Sequence, residues 1–153
     1  MTPTDHKPAT AHLRQVAGAL LVHPDGTVLL HHRDETPGIT NSGKWALFGG
    51  HIEPGETPAA AITRELEEEL TFRAGHVQHF VTLLGHDTVY FMHLTRITAR
   101  LEQLQLNEGQ GMAYWRPEDA LETLDLTTSG RAVLEMFLTY RKFQHAENAK
   151  TVS

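Results

Sequence analysis

Four glutamates crowd the stretch RELEEEL, at Glu65, Glu67, Glu68 and Glu69. Like charges at helical neighbour spacing repel, so the run costs stability unless something offsets it. With Ile62 as origin and roughly 100° per residue, Ala59, Thr63, Leu66 and Leu70 share the arc of a core face. Glu65, Glu68 and Glu69 then occupy an adjoining arc, at i, i+3 and i+4, and Glu67 points to solvent. Three converging carboxylates raise one another's pKa values without a cation, and a hard divalent ion with oxygen ligands is their natural partner. Mg²⁺ suits an open site of this kind, where water and a substrate phosphate complete the shell. The competing account is a solvated acidic face, because Glu is a good helix former.

The residues leading into this run favour a site. Gly49-Gly50 allows backbone to approach a ligand or metal closely, and Pro54-Gly55 signals a turn. Thr57 is placed to cap a helix whose first residue is Pro58, where a missing N–H does no harm. Glu56 precedes that helix, and Arg64 lies about two turns along it, away from the core. A guanidinium there can fork onto a carboxylate and tie the loop to the helix.

The elements that must position these groups follow from pattern. Gln15 to His23 and Thr27 to Arg33 read as strands around the turn Pro24-Asp25-Gly26. Asp34 to Gly43 is a loop by composition, and Lys44 to Phe48 a short apolar strand. Val77 to Gly85 and Thr88 to Thr98 make a hairpin about Gly85-His86-Asp87, and Leu101 to Leu106 and Met112 to Arg116 read as two more strands. Pro117 opens a short helix through Leu124, and Ser129 caps a longer one with Val133, Phe137 and Tyr140 on its apolar face. Strands and helices alternate, which predicts an α/β fold with a mixed sheet covered by helices. Residues 1–12 read as a mobile tail, 13–144 as a single domain, and 145–153 as a polar C-terminal tail.

Whole-chain properties narrow the classes. The 153 residues, 40% hydrophobic, suit one globular domain. A formal charge of −6 disfavours broad binding to nucleic-acid backbones. With no cysteine, disulfide and thiolate chemistry are excluded. The first dozen residues lack a signal-peptide core and no apolar run approaches a membrane span, so a cytoplasmic protein without membrane contact is expected. The 11 histidines form neither a metalloprotease pattern nor a zinc-finger pattern. His31 and His32 alternate across their strand and cannot easily share an ion.

Gly50, five residues, Glu56, seven residues and then Arg64-Glu65-Leu66-Glu67-Glu68-Glu69 resembles the Nudix box, GX5EX7REUXEEXGU, where U is apolar. Thr71 stands where the box has Gly. A box glycine ends the helix with a positive φ, which disfavours a β-branched residue. A locally different helix end is therefore expected, with Gly75 sharing the turn. Beyond the box, the WALFGG entry and Glu108, Gly109 and Trp115 extend the likeness over roughly Gln15 to Phe143.

The resemblance implies an α/β/α sandwich with a mixed β-sheet between helices. It also implies hydrolysis of a diphosphate in a nucleoside diphosphate derivative with Mg²⁺, or Mn²⁺ in its place, a nucleoside triphosphate or related nucleotide being favoured. By that analogy Glu68, Glu69 and the Gly49 carbonyl hold metal. Glu65 is a further ligand or the base, and Arg64 and Glu56 are organisers. Glu108 is the candidate base outside the box. Arg33 and His51 are candidates for phosphate. Trp45 and Phe48, with Tyr90, Phe91 and Trp115, are candidates for stacking on a base. The partner is thus a phosphorylated small molecule; homodimers are common in the family, and the sequence itself leaves the oligomeric state open. A non-catalytic nucleotide sensor on the same fold is the alternative.

Overall fold

The computed structural model describes residues 13–151; the expected N-terminal tail, 1–12, lies outside them. The central strand is β1 (Arg14–Val22), whose residues alternate between two covered faces. Ala17, Ala19 and Leu21 point into one apolar cluster and Leu20 into the other, as a period of two demands. β1 pairs antiparallel with β2 (Val28–His32). The expected strand from Lys44 to Phe48 is two short pieces, because the chain changes partner at Leu47. β3 (Trp45–Ala46) pairs with β2, and β4 (Phe48–His51) pairs with β1, setting Gly49 opposite Gly18.

Helix α1 (Pro58–Leu70) starts as its sequence dictates, with Thr57 Oγ1 accepting the Ala60 amide at 3.1 Å. β5 (Val77–Leu84) and β6 (Thr88–Arg96) form the expected hairpin, with a register shift between His79 and Val81. β6 lies parallel to β1 along its whole length, from Arg14 opposite Thr88 to Val22 opposite Arg96. β7 (Gly111–Trp115) adds to β2, and α2 (Pro117–Thr123) and α3 (Thr128–Lys150) follow. The sheet is therefore mixed, in the order β3-β2-β1-β6-β5, with β4 and β7 attached to β1 and β2.

Ala61, Ile62, Leu66 and Leu70 of α1 pack on one face of the sheet; Ala120 of α2 and Val133, Leu134 and Phe137 of α3 pack on the other. This is the expected α/β/α sandwich. Three local expectations are corrected. Leu101 to Leu106 is not a strand: Leu101–Gln103 forms one 3-10 turn. The following coil sends Leu104 and Leu106 into the cluster beneath α1. Thr127, not Ser129, caps α3, accepting the Gly130 amide at 3.2 Å. Finally, α3 passes Gln144, where polar composition suggested fraying, and runs to Lys150.

Candidate active site

The buried stripe of α1 is rotated from the expected one. Ala59 is exposed, and Ala61, Ile62, Leu66, Glu69 and Leu70 are buried. Glu69 falls within about 20° of Ile62 around the helix, so it lies inside the apolar stripe. Only 7% of its surface is exposed. Its Oε2 accepts the Gly49 amide at 3.3 Å. Burial, reinforced by the charges of Glu65 and Glu108, pushes its pKa up to about 8. Burial also raises the pKa of Glu65, against the lowering effect of the hydrogen bond from Arg64.

Glycine matters in β4 for steric reasons, against fixed backbone at Gly49 and against the movable Glu65 side chain at Gly50. A Cβ at Gly49 would collide with the Ala17 carbonyl oxygen, and one at Gly50 would collide with the Glu65 carboxylate. The sheet and the acidic helix meet at the backbone of these two residues. Gly49 meets Glu69 through its amide.

Arg64 performs the forking predicted for it. Its Nε donates to Glu56 Oε2 at 2.8 Å and its Nη2 to Glu56 Oε1 at 2.9 Å. Nη2 also donates to the His51 carbonyl at 3.1 Å, so one side chain ties helix, approach loop and β4 together. The guanidinium holds the Glu56 carboxyl down at about 2. Its Nη1 reaches Glu65 Oε1 at 3.0 Å and Glu68 Oε2 at 3.2 Å.

That last bond corrects the expected convergence. Glu68 is drawn to the outer side of the helix, where its side chain is 59% exposed. Glu65 and Glu69 instead line a cleft of about 490 Å³ with Glu108, Arg33, His51, Gly49 and Gly50. Among the described residues, no three acidic or histidine side chains are gathered into a ready-made metal cage. The donor set still fits a hard cation. Glu65 and Glu69 face a common space with Glu108 and carry carboxyl pKa values raised in its absence. Such an ion would draw its remaining ligands from water and substrate.

Over Gly49, Gly50 and His51 the cleft adjoins a second cavity of about 460 Å³. Its lining includes Val16, Asn41, Tyr90, Met92, Thr127 and Ser129. Arg33 and His51 belong to both cavities, so the two phosphate candidates stand where they meet. Phe48 does not serve as a stacking platform. It is 1% exposed and one ring face lies against His31, with centroids 4.6 Å apart. Trp45 lines neither cavity; it stacks on His32 at 4.8 Å, with the Trp115 edge against it at 6.0 Å. Of the stacking candidates, Phe48 and Tyr90 line the second cavity, and Tyr90 is the less buried of the two.

Two residues escaped the sequence reading. His31 lines the acid cleft, is buried, and has an Nδ1 without a hydrogen-bond partner. Burial pushes its pKa down to about 4. The adjacent His32 made it look like one of many scattered histidines. Asn107 was passed over as a loop residue, yet its side chain bonds to the Glu68 carbonyl at 2.8 Å. A loop asparagine beside the candidate base Glu108 was the only available hint.

Known proteins resemble this chain in sequence and in fold. The NUDIX domain model matches residues 12–137. The CTP pyrophosphohydrolase of Escherichia coli (strain K12) is 29% identical over 132 residues, covering 84% of this chain and 95% of that protein. The nucleoside triphosphatase NudI of Salmonella arizonae is 44% identical over 123 residues, covering 71% and 86% respectively. A crystal structure of a mutT/nudix family protein from Listeria innocua superposes with a TM-score of 0.71 at 18% identity, covering 87% of this chain and 96% of that one. The α/β/α sandwich, with Glu65 and Glu69 of the box at one cleft, and a family match over most of the chain agree: this chain belongs to the Nudix family.

Proposed function

We propose that the chain hydrolyses a diphosphate bond in a nucleoside triphosphate or related nucleotide, with Mg²⁺ at the acid cleft and water attacking phosphorus. The observation that carries this reading is the joining of two cavities over Gly49-Gly50, one acidic and one bearing Tyr90. A polyphosphate can lie in the first while its nucleoside occupies the second. The names of two relatives, a CTP pyrophosphohydrolase and a nucleoside triphosphatase, favour the same substrate class.

Nudix enzymes generally use divalent cations; when bound, such a cation neutralises the diphosphate and acidifies the attacking water. Glu65 and Glu69 are the carboxylates placed to hold it; Glu68 would join them only by leaving its bond to Arg64. Glu108 is assigned as the proton acceptor, because its carboxylate takes no hydrogen bond from any described residue, whereas Glu65 is held by Arg64. Arg33 and His51, at the meeting of the cavities, orient phosphate oxygens. Arg64 and Glu56 keep β4 and α1 in register, so that the acids face the cleft before substrate arrives.

The test is pyrophosphate and phosphate release from a panel of nucleoside triphosphates, nucleotide sugars and dinucleotides, with Mg²⁺, for the wild type and Glu69→Gln. Turnover of a triphosphate that disappears in the variant supports the assignment. Ligand-induced stabilisation without release from any member would replace it with the sensor reading.

A further inference from the structure

We propose that Thr71 and Asn107 form a clamp that holds Glu108 over the acid cleft, making both of them positioning residues for the reaction. The catalytic half of this inference rests on the function proposed above; the clamp itself does not. Thr71 occupies the box glycine position and adopts the glycine-like conformation, with φ 53° and ψ 37°. That conformation is unfavourable for an L-residue and worse for a β-branched one. The expected displacement of the turn towards Gly75 does not occur, since Gly75 has no positive φ. The chain therefore carries a strained residue where glycine would be comfortable, and the side chain is what it gains.

The Thr71 hydroxyl accepts a hydrogen bond from Asn107 Nδ2 at 3.1 Å, and the same amide donates to the Glu68 carbonyl at 2.8 Å. The Asn107 backbone amide donates to the Glu69 carbonyl at 2.8 Å and that of Gln105 to the Leu70 carbonyl at 3.2 Å. Three successive carbonyls at the end of α1, which a helix leaves without intrahelical partners, are thus all taken by one loop. The Thr71 hydroxyl adds a bond that glycine cannot make. It fixes the Asn107 side chain from a second direction.

Past Glu108 the loop is anchored again. Gln110 donates its backbone amide to the His32 carbonyl at 2.9 Å and its Nε2 to the Arg33 carbonyl at 2.8 Å. Gly109, with φ 95°, passes so close to His32 that a Cβ there would lie 2.9 Å from the His32 carbonyl oxygen. Glu108 therefore sits between an attachment to the acidic helix and an attachment to β2. Both attachments flank the cleft that Glu65, Glu69 and Glu108 line. Loosening one lets the carboxylate swing, and small misplacements of a reacting group are costly.

The experiment compares wild type, Thr71→Gly, Thr71→Ser, Asn107→Ala and the Thr71→Gly/Asn107→Ala double variant. Amide hydrogen exchange at Gln105 and Asn107, read with EDTA present, reports the clamp independently of catalysis. Exchange should quicken in Thr71→Gly and Asn107→Ala, and stay near wild type in Thr71→Ser. The Tm of Thr71→Gly should hold or rise, because the left-handed conformation no longer carries a side chain. With a turned-over triphosphate, kcat should fall about tenfold in Thr71→Gly and Asn107→Ala, with KM within about twofold and Thr71→Ser close to wild type. The double variant should be no worse than Asn107→Ala alone. Unchanged exchange in Thr71→Gly overturns the clamp, and quickened exchange with unchanged kcat overturns its part in positioning. A wild type idle on every substrate would refute the hydrolase reading, while exchange still decides whether the loop is clamped.

Discussion

Glu56 and Glu69 are the same residue type, at the entrance and near the end of one acidic segment, and their surroundings separate them. Arg64 forks onto Glu56 and holds its carboxyl down at about 2, fully ionised in any ordinary buffer. Glu69 has apolar neighbours on its helix, one hydrogen bond from the Gly49 amide, and the carboxylates of Glu65, Glu108 and Glu68 nearby, and its pKa rises to about 8. The single arginine satisfies the entrance side: Glu56, the rim carboxylate of Glu68 and part of Glu65. The cleft side is left with a buried acid whose negative charge has no cationic partner among the described residues. The protein has used its own cation to build the scaffold, and the charge it leaves uncompensated is the charge available to a metal.

The largest expected effect comes from removing that charge. Glu69→Gln should lower kcat by at least about a hundredfold, while stabilising the metal-free protein at alkaline pH. The sign follows from linkage. Glu69 binds its proton up to about 8 in the folded state, against an ordinary 4.5. Folded protein therefore holds more protons than unfolded protein across that window, and stability falls as pH rises from 4.5 towards 8. Urea midpoints measured against pH in EDTA should show this decline in wild type and a flatter profile in the variant. Mg²⁺ should raise the wild-type midpoint more at pH 8 than at pH 6, where a proton must first be displaced. Parallel pH profiles for wild type and variant would break the contrast.

A smaller effect is expected at the scaffold. Arg64→Lys keeps a positive charge but loses the planar fork, so kcat/KM should fall by about ten- to a hundredfold. The Glu56 carboxyl, followed by NMR titration, should rise back towards the usual range; a value still near 2 would show that the fork is not what depresses it. The smallest effect belongs to Glu67, which is exposed within the same acidic run. Glu67→Gln should change kcat/KM by less than about twofold and stability by no more than about 0.5 kcal/mol. A larger loss would mean that acidity of the run as a whole, not the particular environment of each acid, governs the site.

What could be read from the chain follows the distance over which each feature is decided. The Thr57 cap, the Pro58 start and the Arg64 bond to Glu56 lie within one loop and three helical turns, so residue type and spacing were enough. The sheet was legible as a mixture because alternation and turns are local, but the split at Leu47 depends on which neighbour each short strand finds. LEQLQL alternates well enough to suggest a strand, yet the backbone at Gln105 and Asn107 bonds to the end of α1 rather than to a strand. Helical geometry grouped Glu68 with Glu65 and Glu69, but Arg64 decides where Glu68 turns. Phe48 looked available as an aromatic in a glycine-rich approach, and only the packing of His31 against it reveals otherwise. Asn107 meets Glu68 and Thr71 across 39 and 36 residues of chain, a separation at which no spacing rule operates.

The parallel pairing of β1 with β6 has a consequence for how the molecule comes to exist. β1 is the strand against which β4 lays Gly49 and Gly50, and its other neighbour is supplied only after β2, β4, α1 and β5 have been traversed. Closing so long a loop spends chain entropy well before the pairing returns it. The contacts of the β5–β6 hairpin are local, whereas the acid cleft is assembled from segments far apart in the chain. On a ribosome, the helix bearing the acids would emerge ahead of the strand that completes its platform. Glu69 would be desolvated only once α1 packs on the sheet and meets Gly49, whereas Glu67 and Glu68 stay exposed in the finished fold.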